Sequence, residues 1–237
     1  MGKNKLARFA ENLAFEHVVQ PAFEELVQRR FPLQGRWNAD FFAREAPLVL
    51  ELGCGRGEYT VGLAMLRPER NYIGVDIKGA RIWRGARNAK EAGLANVGFL
   101  RTHVDHIARC FGAHEVDEIW LTFSDPQIGK PRKRLTSPLF LERYKRILKP
   151  GGVVHLKTDS PVLYEYTLEM IAAHGLRIHD QSAEVYADLV HRVSPEEQAV
   201  LNIRTYYERM WLEEGRTIHY VRFDLDNYAG HGEEAAA

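Results

Sequence analysis

The stretch "LELGCGRGEYT", Leu50 to Thr60, sets three glycines, Gly53, Gly55 and Gly57, between an apolar run and an amphipathic one. Glycines at such a junction permit a tight turn with positive φ and let a ligand come close to the backbone. In open α/β sheets the turn from the first strand into the first helix is where nucleotide-type cofactors bind. The dinucleotide fingerprint GxGxxG would need glycine at position 58, where the chain has Glu58. A carboxylate opening that helix repels a pyrophosphate, and Glu51, two residues before the first glycine, points the same way. The loop therefore predicts a nucleoside-type ligand that is not polyanionic.

Outward from this loop, apolar and amphipathic runs alternate. "LVLELG" is followed by Glu58 to Leu66, "NYIGVDI" by Ala80 to Ala92, "NVGFLRT" by His106 to Phe111, "EIWLTFS" by Leu139 to Leu148, and "GVVHLKT" by Val162 to Ala173. Strands this apolar are buried on both sides, which predicts an α/β fold: a mostly parallel sheet with helices on both faces. "TIHYVRFDL" adds a further strand, read as antiparallel. Gly93, Gly151-Gly152 and Gly175 stand where helices should stop. Residues 5 to 30 carry apolar residues at helical spacing with a break at Pro21. The expected organisation is an N-terminal helical extension over 1–46, one domain over 47–225 and a disordered tail over 226–237.

Composition narrows the class. The chain has 237 residues, with 32 Lys and Arg against 32 Asp and Glu, so attraction to a polyanion must come from a local patch. No run approaches the roughly 18 apolar residues that span a bilayer, and Glu11, Glu16 and His17 interrupt the N-terminus where a signal peptide would be apolar. No membrane role is expected. Two cysteines, Cys54 and Cys110, do not make a disulfide scaffold or a zinc site and suit a reducing, cytoplasmic setting. The ten histidines show no paired ligand spacing, so no metal is expected. Nothing in the sequence chooses between monomer and homodimer.

The second strand ends in Asp76, about twenty residues after the glycine loop, where a carboxylate accepts hydrogen bonds from ribose hydroxyls. A ligand with a ribose, no phosphate and a positive charge fits Glu51, Gly53, Gly55, Gly57 and Asp76 together. S-adenosylmethionine is such a ligand. After the third strand, "RTHVDHI" offers His103 or Asp105 as the neighbour of its adenine.

The fourth strand runs into "IWLTFSDPQIGKPRKRLTSP", Ile119 to Pro138. Asp125 ends the strand at the edge of the cofactor crevice. Lys130, Arg132, Lys133 and Arg134 follow on the rim, where cations hold a nucleic-acid backbone through its phosphates.

"LELGCGRGEYT", "YIGVDIKGARIWRGARNA", "FSDP" with its basic run and "KRLT", "FLERYKRILKPGGVVHLKTD" and "TYYERMWLEEG" occur in one order. The ensemble resembles the bacterial tRNA (guanine-N7)-methyltransferase family, from about residue 47 to 224. The resemblance implies a class I, Rossmann-like methyltransferase fold and methyl transfer from S-adenosylmethionine to N7 of a guanine at position 46 in the variable loop of tRNA. It implies Asp125 as the catalytic residue. It adds Asp159, Thr205 and Glu208 to the substrate pocket, beside Lys130, Arg132, Lys133 and Arg134. The family usually reads DPWPKKRHxKRRLT; this chain reads DPQIGKPRKRLT, with Gln127 and Ile128 in place of Trp and Pro. Two alternatives stand beside this reading: methylation of an exocyclic amine on another nucleic-acid base, and an inactive RNA-binding protein of the same fold. The first usually shows a second proline and an aromatic residue after Asp-Pro, which "DPQI" lacks.

Overall fold

The structure, a computed structural model, describes residues 3–28 and 31–230. Among these residues eight strands form one sheet: β1 (Val18–Val19), β2 (Leu48–Leu52), β3 (Asn71–Asp76), β4 (Val97–Arg101), β5 (Val116–Thr122), β6 (Leu148–Thr158), β7 (Ile178–Ser182) and β8 (His219–Asp224). Their order is β1-β4-β3-β2-β5-β6-β8-β7. The first six run parallel, and β8 lies antiparallel between β6 and β7. From β2 the chain proceeds outward to β3 and β4, then returns to place β5 on the other side of β2. Crevices open at such a reversal, beyond the carboxyl ends of the strands.

The helices are α1 (Lys3–Ala14), α2 (Phe23–Gln28), α3 (Glu58–Leu66), α4 (Gly79–Glu91), α5 (Ile107–Cys110), α6 (Pro138–Ile147), α7 (Pro161–Ala173), α8 (Pro195–Leu201) and α9 (Tyr206–Glu213). Strand β2 explains why its sequence does not alternate: all five residues are buried. Leu48, Leu50 and Leu52 face a core shared with α5, α6 and α7, while Val49 faces the core under α3, α4 and α8. Period-two geometry sends successive side chains to opposite faces, and here both faces are covered.

Several expectations change. The helix read over 5 to 30 ends at Ala14, and Val18–Val19 instead pairs with Phe99–Leu100 as an edge strand. Asn12 reaches the carbonyl of Gly79 at 2.8 Å, and the Trp83 indole donates to Glu11 at 2.6 Å, so α1 is docked on α4. Trp37 packs into the core: it is fully buried, stacked on Phe111 at 5.2 Å, and its indole N–H donates to the carbonyl of Cys110. Burying roughly 200 Å² of indole at about 25 cal/mol per Å² stabilises on the order of 5 kcal/mol. Gly151, read as a helix stop, lies inside β6, where its φ of 75° accommodates the register shift between β5 and β6. Ordered chain continues past 225: Tyr228 is buried and its hydroxyl donates to Pro138, while residues 231–237 lie outside the described residues.

Candidate active site

The glycine loop closes on the neighbouring strand. The N–H groups of Gly53 and Cys54 both donate to the carbonyl of Val75, at 2.8 and 3.0 Å. Gly57 is needed for two reasons: its φ is +68°, and a Cβ there would stand 2.6 Å from the Phe99 ring. At Gly55 a Cβ would meet nothing within 4 Å, so that side of the loop opens to a ligand. Asp76 holds the loop, accepting from Gly55 N–H at 2.9 Å and Lys78 N–H at 2.7 Å. Cys54 is buried beneath it, and burial pushes its thiol well above its ordinary value. It is therefore no nucleophile.

Glu51 sits under the loop, only 2% exposed. It accepts from the Thr60 N–H at 2.8 Å and from the hydroxyls of Thr60 and Thr122. Burial nevertheless pushes its carboxyl up to about 7, against the pull of these donors. Among the described residues no cation is one of its hydrogen-bond donors.

Asp125 stands exposed in the loop after β5. The residues two before and two after it, Phe123 and Gln127, both have left-handed backbones, with φ of 51° and 47°. Such conformations are uncommon for bulky residues and concentrate at functional loops. The Gln127 N–H donates to the Asp125 carboxylate at 2.9 Å, which fixes the side chain across the Asp-Pro turn.

Two cavities lie on either side of the glycine loop. One of about 590 Å³ is bounded by Gly53, Asp76, His103, Asp105, Gln127 and Leu135. A smaller one of about 90 Å³ is bounded by Glu51, Gly53, Gly55, Phe123, Thr205 and Tyr207. Gly53 belongs to both, and Phe123 and Gln127 flank Asp125 from the two sides. Nine sequence-selected residues thus line these two cavities: Glu51, Gly53, Gly55, Asp76, His103, Asp105, Arg132, Lys133 and Thr205; Gly57 and Asp125 line neither. Asp105 also forms an ion pair with Arg143 at 3.1 Å.

The comparisons with known proteins bear on what such a crevice does. A family model described as "Putative methyltransferase" matches residues 45–221. The tRNA (guanine-N(7)-)-methyltransferase of Bacteroides thetaiotaomicron is 49% identical over 95% of this chain and 87% of its own. That of Porphyromonas gingivalis is 51% identical over 89% of this chain and 85% of its own. This chain belongs to the tRNA (guanine-N7)-methyltransferase family. Its fold is the Rossmann-like fold of class I methyltransferases: the 16S rRNA methyltransferase KamB superposes with a TM-score of 0.57 at 18% identity, over 76% of this chain and 88% of that one.

Within this methyltransferase framework several residues lie where the motif order alone does not put them. Arg134 is not a rim cation. It is 6% exposed, donates to the carbonyl of Pro126 at 2.9 Å and lies over the Tyr166 ring at 4.4 Å, so it braces the Asp125 loop from within. Lys130, Arg132 and Lys133 stay exposed, the latter two on the wall of the larger cavity. Glu208 does not face the crevice either. It is fully buried against Lys157 of β6 at 2.8 Å and accepts from the Tyr186 hydroxyl at 2.6 Å. Lys157 also donates to the carbonyls of Leu201 and Ile203. Burial lowers its ammonium from the ordinary value, and Glu208 opposes that. Glu208 completes a capping box with Thr205, so together they fix the start of α9. Asp159 is engaged by Arg216 at 3.0 Å. Sequence reasoning missed Tyr207, which lines the smaller cavity. Its position inside "TYYE" was the available signal.

Proposed function

We propose that this protein transfers a methyl group from S-adenosylmethionine to N7 of a guanine in tRNA, at position 46 of the variable loop, and that it does so in the cytoplasm. Among the described residues no helix is long and apolar enough to cross a membrane. The observation that carries the reading is the place of Asp125, an exposed carboxylate in a loop whose Gln127 lines the cavity at Asp76 and whose Phe123 lines the small cavity at Glu51.

The donor fits the residues present. Open space at Gly55 admits it to the backbone, and Asp76 offers the remaining lone pairs of its carboxylate to ribose hydroxyls. His103 and Asp105 close the adenine side; Asp105 is already held by Arg143. A buried carboxyl at about 7 with no cation of its own suits a positively charged ligand, which would return Glu51 to its ionised form. When bound, S-adenosylmethionine supplies an electrophilic methyl group on a sulfonium. Guanine N7 has a lone pair and no proton, so no side chain must act as a base before attack. The protein's task is to hold the two partners in line, worth about 7–11 kcal/mol. Asp125 accepts from the guanine N1–H and amino group and stabilises the positive charge that develops on the purine. Lys130, Arg132 and Lys133 hold the tRNA backbone. Thr205 borders the pocket, Glu208 acts through the helix it caps, and Asp159 acts at the surface with Arg216.

The test is to incubate the purified protein with unmodified tRNA and labelled donor, then map the product by cleavage at N7-methylguanine. Asp125→Asn should lose turnover at least about 100-fold, the range of a lost electrostatic donor or acceptor, with little change in tRNA affinity. Equal loss of turnover and affinity would make Asp125 a binding element and defeat the assignment.

A further inference from the structure

The family's Trp after Asp-Pro is absent here, and Gln127 occupies its place. Aromatic surface beside Asp125 comes instead from α9. Phe123, two residues before Asp125, leans on Trp211 with ring centroids 5.3 Å apart. Tyr207 stacks on that indole at 5.8 Å and 26°, and Tyr206 meets Tyr207 edge-on at 5.5 Å. Both tyrosines are 41% exposed, and Tyr207 and Phe123 line the same small cavity as Glu51 and Thr205.

A helix can expose aromatic rings because nothing better is available, so what anchors α9 matters. Its first turn is anchored by polar contacts. Glu208 pairs with Lys157, the Thr205–Glu208 capping box closes the first turn, and Glu58 at the start of α3 accepts from the Tyr206 N–H at 3.1 Å. With the helix fixed by these contacts, Tyr207 need not be buried to hold it. Its ring is left at the crevice mouth. Arg56 lies across this mouth, over the Tyr206 ring at 4.5 Å, and Arg81 borders the same cavity. Stacked aromatic rings next to guanidinium groups are the chemistry that takes an unstacked base together with its flanking phosphates.

We propose that Tyr207, backed by Trp211, forms the platform on which the acceptor base of the RNA stacks, presenting its edge to Asp125, while Arg56 and Arg81 take the phosphates on either side. This inference rests on the methyl-transfer reading above. It assigns base seating to the TYYE segment and not to the loop after Asp-Pro.

The experiment uses the full chain and a tRNA carrying 2-aminopurine at the acceptor position, with S-adenosylhomocysteine as a non-reactive stand-in for the donor. Stacking on the platform quenches the 2-aminopurine fluorescence. Wild type and Tyr207→Phe should quench; Tyr207→Leu and Trp211→Leu should lose most of the quenching. On unmodified tRNA with donor, kcat/KM should fall about 10- to 100-fold in the two leucine variants, the range of one lost base–aromatic stack, with tRNA Kd changed less than about threefold because phosphate contacts dominate affinity. Circular dichroism confirms that each variant is folded, and should Trp211→Leu unfold through loss of its contact with Phe123, Tyr207→Leu decides. Full quenching and wild-type kcat/KM in folded Tyr207→Leu would overturn the platform. A wild type that forms no N7-methylguanine defeats the methyl-transfer reading instead, and the fluorescence then judges the platform separately: quenching lost in Tyr207→Leu upholds it, quenching kept overturns it.

Discussion

At Glu51 a single carboxyl is protonated in the folded protein at a pH where it is ionised in the unfolded chain, since its value rises from 4.5 to about 7. A raised acid favours folding at low pH, and that advantage is lost as pH climbs from about 4.5 towards 7, then stays level. At about 1.4 kcal/mol per unit the change is on the order of 3 kcal/mol. In the absence of donor, urea-unfolding free energy should therefore fall across that interval in the wild type, and Glu51→Gln should flatten the fall. An unchanged slope in Glu51→Gln would show that Glu51 is ionised throughout. Residues also show where sequence reading stops. Asp76 and the three glycines were legible because local spacing dictates their geometry. Glu208 and Arg134 were not, because their surroundings are decided by Lys157 of β6 and Tyr166 of α7, which are distant in sequence.

Helix α9 depends on the Lys157–Glu208 pair, whose side chains are both fully buried. Removing one partner strands the other charge in the interior and costs about 3–5 kcal/mol. Glu208→Leu alone should lower stability by that amount. Lys157→Met combined with Glu208→Leu should recover much of it, as a double-mutant cycle on chemical denaturation would show. Additive losses would mean that the ion pair is not what anchors the helix. Elements buried on both faces were legible as apolar runs, including β2, β3 and β5. Strand β7 was not: "IHDQS" pairs only with β8 at the sheet edge and leaves most of its side chains exposed, so it carries no apolar period. The two-residue β1 is too short to leave any period at all.

For the molecule as a whole, equal numbers of acidic and basic residues place the burden of RNA attraction on position and not on total charge. Arg132→Ala and Lys133→Ala should each reduce the slope of log tRNA affinity against log salt by up to about 0.9, the share of one phosphate contact. Arg134→Ala should leave the slope unchanged and lower the melting temperature, because its guanidinium is spent on Pro126 and Tyr166. A flattened slope in Arg134→Ala would return it to the rim. The short strand at Val18–Val19 has a consequence of another kind. It covers the outer side of β4, where the Phe99 amide donates to His17 at 2.8 Å. A chain clipped after residue 20 would leave that amide row bare and ready to recruit a foreign strand. Such a fragment should retain its crevice yet clump on concentration, and light scattering against the intact protein would show whether those first residues act as a guard against self-association.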